Sequence, residues 1–327
     1  MNIRKAYKNF TNNRLSLIIV LLIFIAMRIP WMDRGSVLEL GASALIQIGI
    51  ALLLVHLAQK YAIIRQRTLL PAFFYLLLVG TNSSFFYDLR GSVSAFLVLL
   101  CLLLLFDTYQ NSLSQPKALN IALVLTLGSF YWTPLLLFFP LFWYGMYRVK
   151  SLNFKTFFAS VLGFAVVCLF LFAWSIYRDD CGIFMLKLLN LCALWDFRFP
   201  PSVGINELVA DVFLGVLFII SVITIFMSRV AEKAQARTFL GYLSILTIVV
   251  FILSLGQPQW KIEWMLILYV PLSLLLAHYF TLSQRLSAFW LFLLTVLFFL
   301  SMFALQWIFL DSDFIGKLPV MMFDFYV

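Results

Sequence analysis

The chain has 327 residues, of which 64% are hydrophobic and only 11% are charged. A soluble domain carries about 45–50% apolar and about 25% charged residues, so this composition excludes an ordinary soluble fold. The net charge of +9 would suggest nucleic-acid binding in a soluble protein, but here the basic residues are scattered through short loops and no recognition module is present. The composition therefore indicates an integral membrane protein.

Long apolar runs recur along the sequence and define the predicted elements. Crossing a hydrocarbon layer about 30 Å thick takes about 20 apolar residues in a helix. The runs are continuously apolar and do not alternate, so they predict helices and not barrel strands. We expect an all-α, polytopic bundle of about 11 spans that forms one domain over residues 1–327. The predicted spans are 15–29, 38–57, 69–80, 93–106, 118–132, 135–147, 157–177, 209–227, 239–255, 262–280 and 286–310.

The loops between these spans alternate in charge. Most of the 23 basic residues fall in every second loop, beginning with the N-terminal segment, whereas most of the 14 acidic residues fall in the intervening loops. Positively charged loops stay on the cytoplasmic side of a membrane. The pattern therefore predicts a cytoplasmic N-terminus, a periplasmic C-terminus and a multi-pass protein of the bacterial inner membrane. No cleavage site follows the first apolar run, so we expect it to stay as an anchor.

The segment 81–92, TNSSFFYDLRGS, is a polar island between two apolar runs. It places Asp88 and Arg90 where a predicted span ends at the outer interface. Asp33 and Arg34 occupy the corresponding position after the first span, beside Arg28. Charge is costly near hydrocarbon, so ionisable groups at such positions are candidates for function.

Two further groups of charges lie at predicted outer span ends. They are Arg178, Asp179, Asp180, Asp196 and Arg198 in the external segment 178–207, and Lys261 with Glu263. Within that segment, residues 183–195 are mostly apolar, which predicts a helix lying in the outer interface. The acids of these groups are suited to act as general bases, and the basic residues are suited to bind a lipid phosphate. The alternative is ordinary interfacial ion pairing.

Several other chemistries lack support in the sequence. It contains no P-loop, dinucleotide-binding fingerprint, CxxC pair or HExxH motif. His56 and His278 fall near the predicted cytoplasmic ends of their spans, far from the outer charges, so we predict no metal ligand set. On one helix, Cys181 and Cys192 would lie about 16 Å apart, too far for a disulfide, and we expect free thiols.

An acid just outside the first span, Asp33, and two long stretches carry a family resemblance. The stretches are LLPAFFYLLLVGTNSSFFYDLRGSVSAFLVLLCLLLLFDTYQ and KALNIALVLTLGSFYWTPLLLFFPLFWYGMYR. They resemble the GT-C superfamily of polyprenol-phosphate-dependent glycosyltransferases, and the chain is similar to a family of polytopic inner-membrane proteins common in Bacteroidota. In that superfamily the outer acid after the first span commonly acts as catalytic base. The resemblance implies a GT-C-like fold, with Asp33 and Asp88 as catalytic residues and Arg34 and Arg90 as phosphate contacts.

These features lead to two main hypotheses of function. The first is a GT-C-like protein that handles a polyprenyl-phosphate-linked sugar at the periplasmic face, with Lys261 and Arg178 as further substrate-binding residues. In this hypothesis Asp33 is the base, and Asp88 positions either the acceptor or a divalent cation; no other cofactor is expected. The second is a non-catalytic integral subunit of a larger membrane complex. We expect membrane lipids as partners in both cases and no nucleic acid; the nearly charge-free span centres argue against a transporter.

Overall fold

A computed structural model describes residues 14–29, 36–64, 68–80, 82, 84–111, 113–177, 212, 215–216, 218–219, 234–257, 260–282, 293, 295–297 and 300–301. Every regular element in these ranges is a helix, in agreement with the all-α prediction. The predictions made for the loop 30–35 and the external segment 178–207 lie outside the described residues, as does most of the predicted spans 209–227 and 286–310.

The described helices follow one another with short connections over most of the chain. In order they are α1 (Arg14–Ala26), α2 (Val37–Lys60), α3 (Leu70–Val79), α4 (Ser84–Tyr87), α5 (Leu89–Phe106), α6 (Gln115–Tyr131), α7 (Phe138–Arg148), α8 (Phe154–Tyr177), α9 (Ala234–Gly256) and α10 (Lys261–Leu282). A 3₁₀ helix, Thr133–Leu137, leads directly into α7.

Capping residues fix where two of these helices begin. Ser36 precedes α2, and its hydroxyl oxygen accepts a hydrogen bond from the Glu39 N–H (3.4 Å). Asp88 precedes α5, and its Oδ1 accepts a hydrogen bond from the Gly91 N–H (2.9 Å). Both side chains satisfy backbone donors that have no partner within the helix. Pro71 lies in the first turn of α3, where its missing N–H costs no hydrogen bond.

Five helices of the described ranges are long and apolar enough to cross a membrane: α2, α5, α8, α9 and α10. α3 has only ten residues, a length of about 15 Å, which is about half the thickness of the hydrocarbon layer. Most of its residues are buried, so α3 is a short helix packed inside the bundle. The protein is thus a helical bundle compatible with a membrane.

α10 lies at the centre of this bundle. It packs against α3, α5 and α9, and 89% of its most apolar stretch is buried inside the protein. In α8, which packs mainly against α6, the corresponding share is 22%. The site described below is built on the beginning of α10, and therefore on the most enclosed helix of the described chain.

Contacts along the bundle show that α2, α5 and α10 run in the same direction. Gln47 of α2 donates from Nε2 to Ser92 Oγ of α5 (2.8 Å), and further along the two helices Lys60 Nζ lies 2.8 Å from Asp107 Oδ1. Near the end of α10, His278 is in hydrogen-bond contact with the main chain that follows α2. The three helices therefore begin at one end of the bundle and finish at the other.

The two ends of the bundle differ in charge. The Asp88 end, where α2, α5 and α10 begin, carries equal numbers of described bases and acids: Arg28, Arg90 and Lys261 against Glu39, Asp88 and Glu263. The Asp107 end, where these helices finish, carries mainly bases among its described side chains: Lys60, Lys117, Arg148, Lys150, Lys155 and Arg237 against Asp107. The alternation of charge between successive loops thus corresponds to a difference in net charge between the two ends of the bundle.

Candidate functional site

Asp88 is half-buried at the N-terminus of α5, and its two carboxylate oxygens have different surroundings. Oδ1 accepts the capping hydrogen bond from Gly91. Oδ2 is buried and has no hydrogen-bond partner among the described residues. Burial raises the pKa of the Asp88 carboxyl above its ordinary value, and the hydrogen bond from Gly91 and the positive charge of Arg90 only partly oppose this. One oxygen is therefore free to accept a proton or a hydrogen bond.

Gly91 lets the beginning of α10 approach the Asp88 carboxylate closely. A Cβ atom at this position would overlap Asp88 Oδ2, and it would lie 2.8 Å from Leu266 Cδ1 and 3.0 Å from Glu263 Cα. Real Cβ atoms do not make such contacts without displacing their neighbours. The absence of a side chain at Gly91 thus allows the first turns of α5 and α10, which are far apart in sequence, to pack closely.

Glu263 is the second carboxylate of the site. Its side chain is 13% exposed, and Arg90 Nη1 lies 4.0 Å from its Oε1. The charges of Glu263 and Asp88 also interact with each other. Two acids therefore face one another here, with Arg90 close to both. The Arg90 side chain is 55% exposed and so reaches toward water.

The same place holds two helix N-termini. α5 begins at Leu89 and α10 begins at Lys261, and the partial positive charge at a helix N-terminus favours anions. Arg90 and Lys261 add full positive charges on these two first turns. The combination suits a ligand that carries a phosphate group next to a position that needs a base.

Aromatic side chains pack beneath the beginning of α10. The rings of Trp132 and Trp264 lie 4.8 Å apart, and Phe138 stacks on Trp264 at 5.9 Å. Trp264 donates from Nε1 to Gln257 Oε1 (3.0 Å). These contacts hold the first turn of α10, and with it Glu263, in a fixed position.

The structure brings together three of the predicted site residues, Asp88, Arg90 and Lys261, at one end of the bundle. Glu263 is a site residue that the sequence prediction left out, although its position beside Lys261 at a span end was a signal for it. The predicted residues Asp33, Arg34 and Arg178 lie outside the described residues, and their roles stay predictions.

No family model, curated protein or solved structure matches this chain. The geometry at the Asp88 end is therefore the main guide to function. In the described part of the chain, no group of three or more His, Cys, Asp or Glu side chains is arranged to hold a metal ion. A divalent cation at Asp88 stays a prediction, and Glu263 is the neighbouring carboxylate in the described part of the chain.

Proposed function

We propose that this protein handles a polyprenyl-phosphate-linked sugar, or a related lipid carrier, at the periplasmic face of the bacterial inner membrane. One observation carries the proposal: the half-buried Asp88 carboxylate keeps an oxygen without a partner among the described residues. This oxygen lies near the N-termini of α5 and α10, whose first turns carry Arg90 and Lys261. A carboxylate with a raised pKa in such surroundings is suited to general-base catalysis. The GT-C resemblance of the sequence supports a catalytic role for Asp88, although it assigns the base itself to Asp33.

In the proposed reaction, Asp88 takes the proton from a hydroxyl group of the acceptor. The freed oxygen attacks the anomeric carbon of the sugar while the bond between that carbon and the phosphate oxygen breaks. The electron pair leaves with the polyprenyl phosphate, whose charge grows as the bond breaks. Arg90 and Lys261 stabilise this growing charge. The resemblance assigns the base role to Asp33, and in that arrangement Asp88 positions the acceptor hydroxyl, so both acids are needed in either case. Arg34 and Arg178 are further phosphate contacts of the proposed set.

The charge difference between the two ends supports the proposed orientation. The Asp107 end is strongly basic among its described side chains, and basic segments stay in the cytoplasm. The Asp88 end then faces the periplasm. It is also the end at which a lipid-linked sugar that has crossed the inner membrane would arrive.

Mass spectrometry of the lipids that co-purify with the native protein tests the binding half of the proposal. We expect a polyprenyl-phosphate-linked sugar with the wild-type protein and its loss from the double variant Arg90→Ala/Lys261→Ala. The matched control is Lys117→Ala, a basic residue of the opposite end, which should retain the lipid. Equal lipid content in all three preparations would remove the assigned phosphate contacts.

Transfer by membrane preparations tests the catalytic half. Asp33→Asn and Asp88→Asn should each abolish transfer from the co-purified carrier, with expression unchanged. Full transfer by one variant would remove that residue from the catalytic assignment, and full transfer by both would leave a protein without an identified base.

A non-catalytic subunit of a larger membrane complex is the second candidate. The observation in its favour is the exposed apolar face of α8, on which Phe158, Leu162, Leu169 and Phe170 are all more than half exposed. That face is large enough to contact another membrane protein, although lipid would cover it equally well. This candidate would be favoured by a stoichiometric protein partner in the native preparation, together with an Asp88→Asn variant whose function is unchanged.

A further inference from the structure

A buried polar network, which we call the Arg28 network, lies beside the candidate site. It consists of Arg28, which follows α1, Ser43 and Gln47 of α2, Ser92 of α5, and the main-chain oxygens of α4. All four side chains are almost completely buried, with Arg28 only 4% exposed. Four segments of the chain therefore meet through hydrogen bonds in otherwise apolar surroundings.

Arg28 is held at both terminal nitrogens of its guanidinium group. Nη1 donates to Leu40 O (2.8 Å) and Ser43 Oγ (3.0 Å), and Nη2 donates to Gln47 Oε1. The guanidinium carbon lies 4.7 Å from the ring centroids of both Phe24 and Phe86. Only a planar, forked cation fits between two rings while it donates in several directions.

Gln47 links Arg28 to the turn before α5 by hydrogen bonds at both ends of its side-chain amide. Because its Oε1 accepts from Arg28, its amide nitrogen must point the other way. Nε2 donates there to Phe85 O (2.9 Å) and to Ser92 Oγ (2.8 Å). The guanidinium therefore fixes which side of the amide faces the turn.

Ser92 connects the network to the catalytic candidate. Its hydroxyl accepts from Gln47 and donates to the main-chain oxygen of Asp88 (2.7 Å). Ser43 similarly donates to Phe86 O. Phe85 and Phe86 are thus bonded to α2 directly at their main-chain oxygens, and the Asp88 main-chain oxygen is linked to α2 through Ser92. The Asp88 carboxylate follows directly from this backbone.

The charge of Arg28 makes the network unlike ordinary core packing. No carboxylate of the described chain forms an ion pair with it, and its Nε has no hydrogen-bond partner there. A buried charge without a counter-charge is costly, and an apolar residue would fill the same space at lower cost. The cation is better explained by the geometry that it imposes.

We propose that Arg28 and Gln47 are positioning residues that, through Ser92, set the position and the water exposure of the Asp88 carboxylate. The catalytic meaning of this proposal rests on the proposed function, but the effect on the carboxylate is measured without any substrate. Loosening the turn lets water reach the carboxylate, which stabilises its charged form and moves its titration to lower pH.

Labelling with dicyclohexylcarbodiimide, followed by peptide mass spectrometry, tests the proposal on the full-length protein. The reagent modifies protonated carboxyl groups in apolar surroundings, and the pH midpoint of the labelling follows the titration of the group independently of its access. Asp88→Asn identifies the labelled peptide. Arg28→Lys and Ser92→Ala are the test variants, and Ser94→Ala is the matched control, since the Ser94 hydroxyl also donates to the carbonyl four residues earlier (2.8 Å) but does not contact Gln47.

In Arg28→Lys we expect the midpoint to fall far enough that the protonated fraction of Asp88 at a given pH drops about tenfold, which is one pH unit. Ser92→Ala should shift the midpoint in the same direction by less, and Ser94→Ala should match the wild type. If Arg28→Lys does not fold, Ser92→Ala still decides the question. Wild-type midpoints in both test variants, with only a lower melting temperature, would overturn the proposal. A shifted midpoint in the test variants, together with no transfer activity in the wild-type protein, would keep the proposal and refute the proposed function.

Discussion

Asp88 and Asp107 flank the same helix, α5, but their carboxylates have opposite surroundings. Asp107 follows the helix, and its Oδ1 accepts from the Tyr61 hydroxyl (2.6 Å) and pairs with Lys60 Nζ (2.8 Å). Its Oδ2 lies 3.8 Å from Lys117 Nζ. Asp88 precedes the helix; its Oδ1 accepts from the Gly91 N–H, and within the described part of the chain its Oδ2 has no hydrogen-bond partner. One carboxylate is saturated with donors and the other is not.

The titration of the two groups follows from this difference. Burial raises the pKa of Asp107 too, but the bonds from Lys60 and Tyr61 and the charge of Lys117 outweigh it and hold the pKa below its ordinary value. For Asp88 burial prevails and the pKa is raised. A carboxylate neutralised by two cations ties elements together, whereas one whose pKa is raised by burial is better suited to exchange a proton.

The largest expected effect is on transfer activity, and it separates the two ends. Asp88→Asn should lower transfer by about 10²–10⁴-fold, because an amide cannot take the proton, while the helix keeps its cap, since Asn caps as well as Asp. Asp107→Asn should leave transfer unchanged. Membrane transfer assays at matched expression check both variants. Equal losses in the two would mean that the ends do not differ in function.

The second prediction concerns the close approach of α10 to Asp88. Gly91→Ala should destabilise the protein by about 1–3 kcal/mol, since the added Cβ overlaps the carboxylate and presses on Glu263. Gly49→Ala is the matched control in α2, where nothing lies within 4 Å of the new atom, and it should be neutral or stabilising by up to about 1 kcal/mol. Thermal unfolding in detergent compares the two, and equal melting temperatures would show that the approach is loose.

The helices of the described chain were largely predictable from the sequence, because continuous apolar runs leave few alternatives. The expected span 93–106 nevertheless begins at Leu89 in the structure. Hydropathy alone misses its first turn, since Arg90 and Ser92 are polar. The cap formed by Asp88 and the burial of Ser92 against Gln47 account for the earlier start, and both depend on contacts that a hydropathy average does not contain.

The candidate site was predictable only in part. Alternation of spans was enough to place Asp88, Arg90 and Lys261 at the same end. The close packing of α10 against α5 at that end depends on the missing side chain of Gly91, which no spacing rule indicates. Arg28 was grouped with interfacial charges, but it turns inward to Gln47. An amide within the apolar run 38–57 was a visible signal for a buried partner, and its partner became known only from the packing.

The third prediction uses the opposite pKa directions of the two carboxyls. Asp107 titrates below 3.8 when folded, so its stabilisation is complete above that pH and is lost as the pH falls through the folded pKa. Asp88 titrates above 3.8, so the fold favours its protonated form, and this contribution is lost as the pH rises through the folded pKa. The melting temperature of the wild type should exceed that of Asp107→Asn above the ordinary pKa of an aspartate, and the difference should disappear as the pH falls through the lowered folded pKa. The melting temperature of the wild type should fall below that of Asp88→Asn as the pH rises. Parallel curves would contradict the assigned surroundings.

The smallest expected effect comes from removing one of the two cations of Asp107. Lys60 is 43% exposed at its side chain, so water already weakens the pair, and Lys60→Ala should cost only about 0.2–1 kcal/mol. Lys117 and the Tyr61 hydroxyl continue to hold the carboxylate after this change. Added salt should shrink the difference in melting temperature between this variant and the wild type, because exposed pairs are screened. A large, salt-independent loss would instead mean that the Asp107 end depends on this single contact.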